Sequence, residues 1–157
     1  MHVSIRPLEE EDAYTSVVWR NIPEIWKLTG SRPDREITIK DELVWIKKVM
    51  TEESSKRFAI IAGDTYVGNI YLTGIDNKSA EYHIFIGDKD YWGKGVAKIA
   101  SQQIISYSRD ILGLATINLG VNEKNEVAIY LYKSLGFVAV GVDDSFIKMR
   151  LDLEEKN

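Results

Sequence analysis

Two neighbouring stretches, Ala80-Glu81-Tyr82-His83-Ile84-Phe85-Ile86 and Tyr91-Trp92-Gly93-Lys94-Gly95-Val96-Ala97, decide how this chain folds. The first alternates in side-chain character as a half-buried strand does. After the second, Val96, Ala100, Ile104, Tyr107 and Ile111 recur at helical spacing. Glycines between a strand and a helix let the backbone turn tightly and bring its N–H groups close to a ligand. The first turn of a helix adds unpaired N–H groups and the positive end of the macrodipole, which suits a phosphate. The pattern reads either as a plain turn or as a phosphate cradle. Two common phosphate loops are excluded by spacing. Gly87 and Gly93 are too widely separated for a P-loop, and Gly95 follows the lysine where Ser or Thr is needed. A dinucleotide fingerprint needs a third glycine at the position of Lys98.

The chain has 157 residues, 45% hydrophobic and 28% charged, which is one domain (1–157) with a single substantial core. Its net charge of −4 argues against a nucleic-acid surface or a polybasic membrane contact, and a cationic acceptor meets no general repulsion. No cysteine is present, so disulfides and a cysteine nucleophile are excluded. His2 and His83 are too few and too far apart for a recognisable metal site. Val3-Ser4-Ile5-Arg6 at the start is strand-like and lacks a signal-peptide core, and no apolar stretch approaches the ~20 residues of a membrane span. These features lead us to expect a metal-free cytoplasmic protein.

Outward from the centre, strand-like residues 3–7 precede a helical stretch from Glu10 to Arg20. Pro7, Pro23 and Pro33 predict broken helix and loop over 21–37. Thr38 and Asp41 look like an N-terminal cap for a helix with Ile39, Leu43, Ile46 and Met50 on one face. Strands near 57–62 and 65–74 meet at the hairpin signal Gly63-Asp64, and Asp76-Asn77-Lys78 turns into the strand at 80–86. Beyond the long helix we expect a strand at 115–121, a helix at 125–135, and strands at 137–142 and 146–152. Strands outnumber helices, so the predicted fold class is α/β (α+β). It has a mixed, mostly antiparallel sheet of about seven strands flanked by about four helices.

A second motif runs from Leu119 to Phe137. Asn125 stands where a helix cap belongs, Ala128 and Tyr132 lie at i and i+4, Gly136 can stop the helix in a left-handed conformation, and Phe137 begins a strand. On periodicity alone Tyr132 reads as a core tyrosine, because Val127, Ala128, Leu131 and Leu135 make that face apolar.

Together the two motifs resemble those of the GNAT superfamily of N-acetyltransferases. Gly93 and Gly95 match its acetyl-CoA loop, and Asn125, Ala128, Tyr132, Gly136 and Phe137 match its later helix at every spaced position. Trp19-Arg20-Asn21, Val67-Gly68 and Ala80-Glu81 resemble the branch that includes spermidine, ribosomal-protein and nucleotide-aminosugar acetyltransferases. Asp90 departs from the Arg or Gln usual in the loop, which weakens any side-chain phosphate contact there and leaves a backbone cradle intact.

The resemblance implies a sheet splayed at the acetyl-CoA site and direct attack by a primary amine in a ternary complex. It assigns Ile84, Phe85 and Ile86 to the pantetheine arm through main-chain bonds, as in β-augmentation. One of their N–H groups would polarise the thioester carbonyl. It places Trp92, Gly93, Lys94, Gly95, Val96, Ala97 and Lys98 around the pyrophosphate, although the lysines also read as solvated surface charge. Asn125, Ala128 and Tyr132 belong to the same cofactor site, with Tyr132 as the acid near the leaving sulfur. Glu81 is the first candidate for the base, His83 the second, and a water relay stays open. Trp19, Arg20, Asn21, Glu24 and Trp26 are candidates for the acceptor pocket, and the tryptophans read equally as core. The implied acceptor is a small polyamine, an amino sugar or a protein N-terminus. The tight turn at Asp143-Asp144-Ser145 suggests a pocket that is open or completed by a partner subunit in a homodimer. A non-catalytic acyl-CoA-binding domain is the alternative, and joint retention of Tyr132 and Glu81 argues against it.

Overall fold

The computed structural model describes residues 1–25 and 33–153. Its order is β1 (Val3–Pro7), a 3-10 turn (Glu10–Asp12), α1 (Ala13–Arg20), α2 (Ile39–Met50), β2 (Lys56–Ala62), β3 (Thr65–Thr73) and β4 (Ser79–Ile86). A second 3-10 turn (Lys89–Tyr91), α3 (Val96–Asp110), β5 (Thr116–Asn122), α4 (Glu126–Ser134), β6 (Val138–Asp143) and β7 (Phe146–Asp152) complete it. The strands form one seven-stranded sheet in the order β1-β2-β3-β4-β5-β7-β6. Every pairing is antiparallel except β4 with β5. The mixed, mostly antiparallel sheet expected from the sequence is therefore present.

Strand alternation divides the interior into two cores, because successive side chains point to opposite faces. On one face Ile60, Ile70, Leu72 and Tyr82 pack with Val96, Ala100 and Ile104 of α3, and Phe137 and Met149 join them. On the other, Ala59 of β2 packs with Leu8, with Ala13 of α1, and with Ile46 and Val49 of α2. Arg6 ties β1 to the start of α1 by donating two hydrogen bonds to the Asp12 carboxylate, at 2.8 and 2.7 Å.

Local rules explain most element ends. Thr38 and Asp41 form the expected reciprocal cap, with Asp41 N–H donating to Thr38 Oγ1 at 3.1 Å and Thr38 N–H to Asp41 Oδ2 at 2.9 Å. The buried face of α2 differs from the expected one. Ile39 and Met50 are exposed, and the inward line is Glu42, Ile46 and Val49. Periodicity could not find that face because a carboxylate occupies one of its positions. In α4, Val127 is exposed while Ala128, Ile129, Tyr132 and Leu135 pack against the core. Ile111 lies just past the end of α3 and is also exposed.

Candidate active site

The sheet opens where β4 leaves β5. Their parallel pairing covers Ser79 with Thr116, Ala80 with Ile117 and Glu81 with Asn118, and is recorded no further. From Tyr82 to Ile86, β4 keeps its β3 partners on one side and presents main chain toward the gap on the other. A chain-like ligand can add there as a strand. Ile84 and Ile86 lean on the α3-side core, whereas Phe85 faces the other way and meets the Trp19 ring edge-on at 6.0 Å.

The turn beyond β4 is main-chain machinery. Gly93 and Gly95 have φ of 72° and 78°, and a Cβ at either would find nothing within 4 Å, so the left-handed backbone itself calls for glycine. Gly95 is the N-cap of the 15-residue α3 and brings no side chain to its first N–H groups. These donors and the helix dipole suit a pyrophosphate. The Trp92 indole N–H donates to the Ile86 carbonyl at 2.9 Å, pinning the turn to the end of β4. Lys94 lies over the Tyr91 ring at 5.7 Å, and Lys98 is exposed. Val96 is buried and Ala97 half-buried, so backbone is what they can offer a ligand. Asp90 donates its N–H to Asp88 Oδ1 at 3.0 Å, leaving its exposed carboxylate outside the turn's own bonding.

The α4 segment closes the same side. Asn125 caps the helix by accepting the Ala128 N–H at 3.2 Å. Past its end, Phe137 N–H bonds back to the Tyr132 carbonyl at 3.0 Å across Gly136, whose φ is 105°. Tyr132 is thereby held edge-on to Tyr82 at 5.8 Å and to Phe137 at 5.9 Å. Burial pushes its phenol up to about 12, which keeps the hydroxyl protonated near neutral pH and able to donate. Tyr82 is fixed in turn by a bond between its hydroxyl and buried Ser101.

The opposite face of β4 carries Glu81 and His83. Glu81 is exposed, and its Oε1 lies 3.8 Å from His83 Nε2. The imidazole stacks on Tyr71 at 4.8 Å and 13°, and Nε2 shares a 3.0 Å hydrogen bond with Thr73 Oγ1. Burial holds His83 below the usual imidazole value, opposed by Glu81 and assisted by Arg57, so the neutral form dominates at pH 7.

Of the acceptor candidates, Trp19 is only 5% exposed and its ring fills the place of a side chain at Gly87, where a Cβ would stand 2.0 Å away. Trp19 forms a wall between Tyr66 and Phe85. Asn21 is committed to main chain, donating to Val17 O and Ile37 O and accepting from Ile37 N–H. Glu24 pairs with Lys89. Arg20 reaches toward Glu42 at 3.7 Å and lies over the Trp45 ring at 5.3 Å. Trp26 lies outside the described residues. Sequence reasoning missed Tyr71, Thr73, Trp45 and Arg57, which complete this face. The hint was the register of β3, which sets Tyr71 and Thr73 opposite His83 and Glu81. Among the described residues no group of His, Asp or Glu could hold a metal ion, and no helix is long and apolar enough to cross a membrane.

A splayed sheet, a glycine-capped helix at the end of β4 and a half-buried tyrosine beside the gap are the arrangement the sequence led us to expect of a CoA-dependent acyltransferase. A family model described as an acetyltransferase (GNAT) domain matches residues 2–138. The N-acetyltransferase p20 of Bacillus licheniformis is 30% identical over 145 residues, 89% of this chain and 81% of its own. Spermidine N(1)-acetyltransferase of Escherichia coli is 29% identical over 141 residues, covering 88% and 74%. The structure of Vibrio cholerae spermidine N-acetyltransferase in complex with CoA and spermine superposes with a TM-score of 0.85 at 24% identity, over 96% of this chain and 95% of that one. The chain belongs to the GNAT acetyltransferases and is an N-acetyltransferase that uses acetyl-CoA as donor.

Proposed function

We propose that this enzyme acetylates a small primary amine that approaches the β4–β5 gap from the α1–α2 face, while acetyl-CoA enters from the α3 face. The observation that carries this reading is the placement of two proton-handling groups on opposite faces of one strand gap. Tyr132 lies on the donor side, and Glu81 with His83 on the other. Exposed Glu81 meets the acceptor ammonium, and the neutral imidazole of His83 beside it takes the proton. The amine nitrogen then bonds to the acetyl carbon, sheds its remaining extra proton to solvent, and the carbon–sulfur bond breaks. Tyr132 donates to the departing thiolate and is reprotonated from solvent, so the net proton leaves through the Glu81–His83 side.

The relatives' names favour a polyamine among possible acceptors, and the net negative charge of the chain agrees with a cationic substrate. Thiol release across a panel of polyamines, amino sugars and N-terminal peptides tests this directly. Turnover should be highest with a short polyamine, and turnover confined to peptides overturns the acceptor class. Glu81→Gln should raise KM for the amine, and His83→Gln should flatten the rise of rate with pH. An unchanged profile in His83→Gln assigns the proton to water instead.

A further inference from the structure

Arg57, Tyr71 and His83 form a row of cross-strand neighbours, since Arg57 pairs with Tyr71 between β2 and β3 and Tyr71 with His83 between β3 and β4. The guanidinium lies 4.4 Å from the Tyr71 ring centroid, and the imidazole stacks nearly parallel to that ring at 4.8 Å. The row continues outward, because Arg57 also sits 5.8 Å from the Trp45 ring and Arg20 covers that ring at 5.3 Å. Arg57 is 14% exposed, is held at one end by Glu52 at 3.4 Å, and has a buried Nε with no hydrogen-bond partner among the described residues. A guanidinium this confined stacks through its plane while one end pairs with Glu52.

We propose that Arg57 is a positioning residue for the proton-accepting side: acting through Tyr71, it fixes the plane of the His83 imidazole and opposes its charging. Tyr71 sets the ring plane, the Thr73 hydroxyl at 3.0 Å sets its rotation, and the Arg57 charge stands across one aromatic ring from the nitrogen that would become positive. The groups facing His83 are few. Glu81 on its own strand favours the imidazolium, while Tyr71 and Thr73 on β3 are neutral and Arg57 on β2 disfavours it. From α1 and α2, Arg20 and Glu42 approach each other at 3.7 Å, with Arg20 over the Trp45 ring.

The inference rests on the reading of His83 as proton acceptor, so the test separates the two. In the 157-residue chain, with His2→Gln to isolate the signal, NMR follows the His83 imidazole through its titration. Arg57→Met should move that titration to higher pH, and the acid limb of the kcat/KM profile with it, while acetyl-CoA affinity stays within about twofold. Arg57→Lys, which returns the charge without the planar fork, should restore the titration in part. Should Arg57→Met fail to fold, Tyr71→Leu carries the same test: the ring-current shift on His83 vanishes and kcat falls about tenfold. A folded Arg57→Met chain with His83 titrating as before overturns the proposal, as does full kcat in Tyr71→Leu. A shifted titration supports it even if His83→Gln keeps its turnover, a result that would remove only the base assignment.

Discussion

In the function proposed above, the α3 face of the sheet offers the donor main chain, and the α1–α2 face offers the acceptor side chains. On the first, Gly93, Gly95, the start of α3 and the free edge of β4 form a cradle whose geometry depends on backbone dihedrals. On the second, Arg57, Tyr71, Thr73, Glu81 and His83 come from three strands, and Arg20 and Trp45 approach from two helices. A main-chain site tolerates changes in most of its side chains and fails when φ is forbidden. A side-chain site keeps its backbone and fails when one partner in the row is lost.

Five substitutions probe that contrast, and the largest effect belongs to Tyr132 on the α3 side of the gap. Tyr132→Phe should lower kcat about 100-fold while leaving the calorimetric Kd for acetyl-CoA within about twofold. Unchanged turnover would remove Tyr132 as the acid and leave it a core ring. Gly95→Val forces a β-branched residue to a φ of 78° and should weaken acetyl-CoA binding about tenfold, with Asp90→Ala harmless beside it. If Asp90→Ala did equal damage, the cradle would depend on side chains after all.

Glu42→Gln tests the acceptor-side helices through stability. Glu42 is fully buried, accepts from Ser16 Oγ at 2.8 Å, and leaves Oε1 without a hydrogen bond among the described residues. Burial holds its carboxyl above the usual value of 4.5, against the pull of Ser16 and Arg20. A raised carboxyl stabilises the fold below the unfolded value and loses that contribution as pH rises through the folded one. The glutamine, which never ionises, should therefore raise Tm by about 3 °C at pH 7 and give no gain near pH 4. Equal gains at both pH values would show that ionisation is not the cause. Apart from the harmless Asp90→Ala, Lys94→Ala should have the smallest effect, a two- to threefold loss of acetyl-CoA affinity that disappears at about 0.5 M salt, as for exposed charges.

Legibility in the sequence follows the same division. The hairpin at Gly63-Asp64, the Thr38–Asp41 cap and the Gly136 stop each depend on neighbours along the chain, and each was readable. The line of Glu42 on α2 was not, because a buried carboxylate breaks the apolar period and the partners that make it tolerable, Ser16 and Arg20, lie on another helix. Trp19 could be read as pocket or core, and the choice turned on Gly87, distant in sequence, which leaves room for its ring.

By itself the sequence determined the mixed sheet, the glycine turn and the spacing from Asn125 to Phe137, and hence the family and the donor. Strand alternation, helix capping and positive φ are local constraints, written within a few residues of where they act. The row Arg57–Tyr71–His83 and the neutral imidazole at its end were decided by tertiary structure alone. They depend on strand register and on the dielectric and charges that packing creates, and no spacing along the chain encodes either.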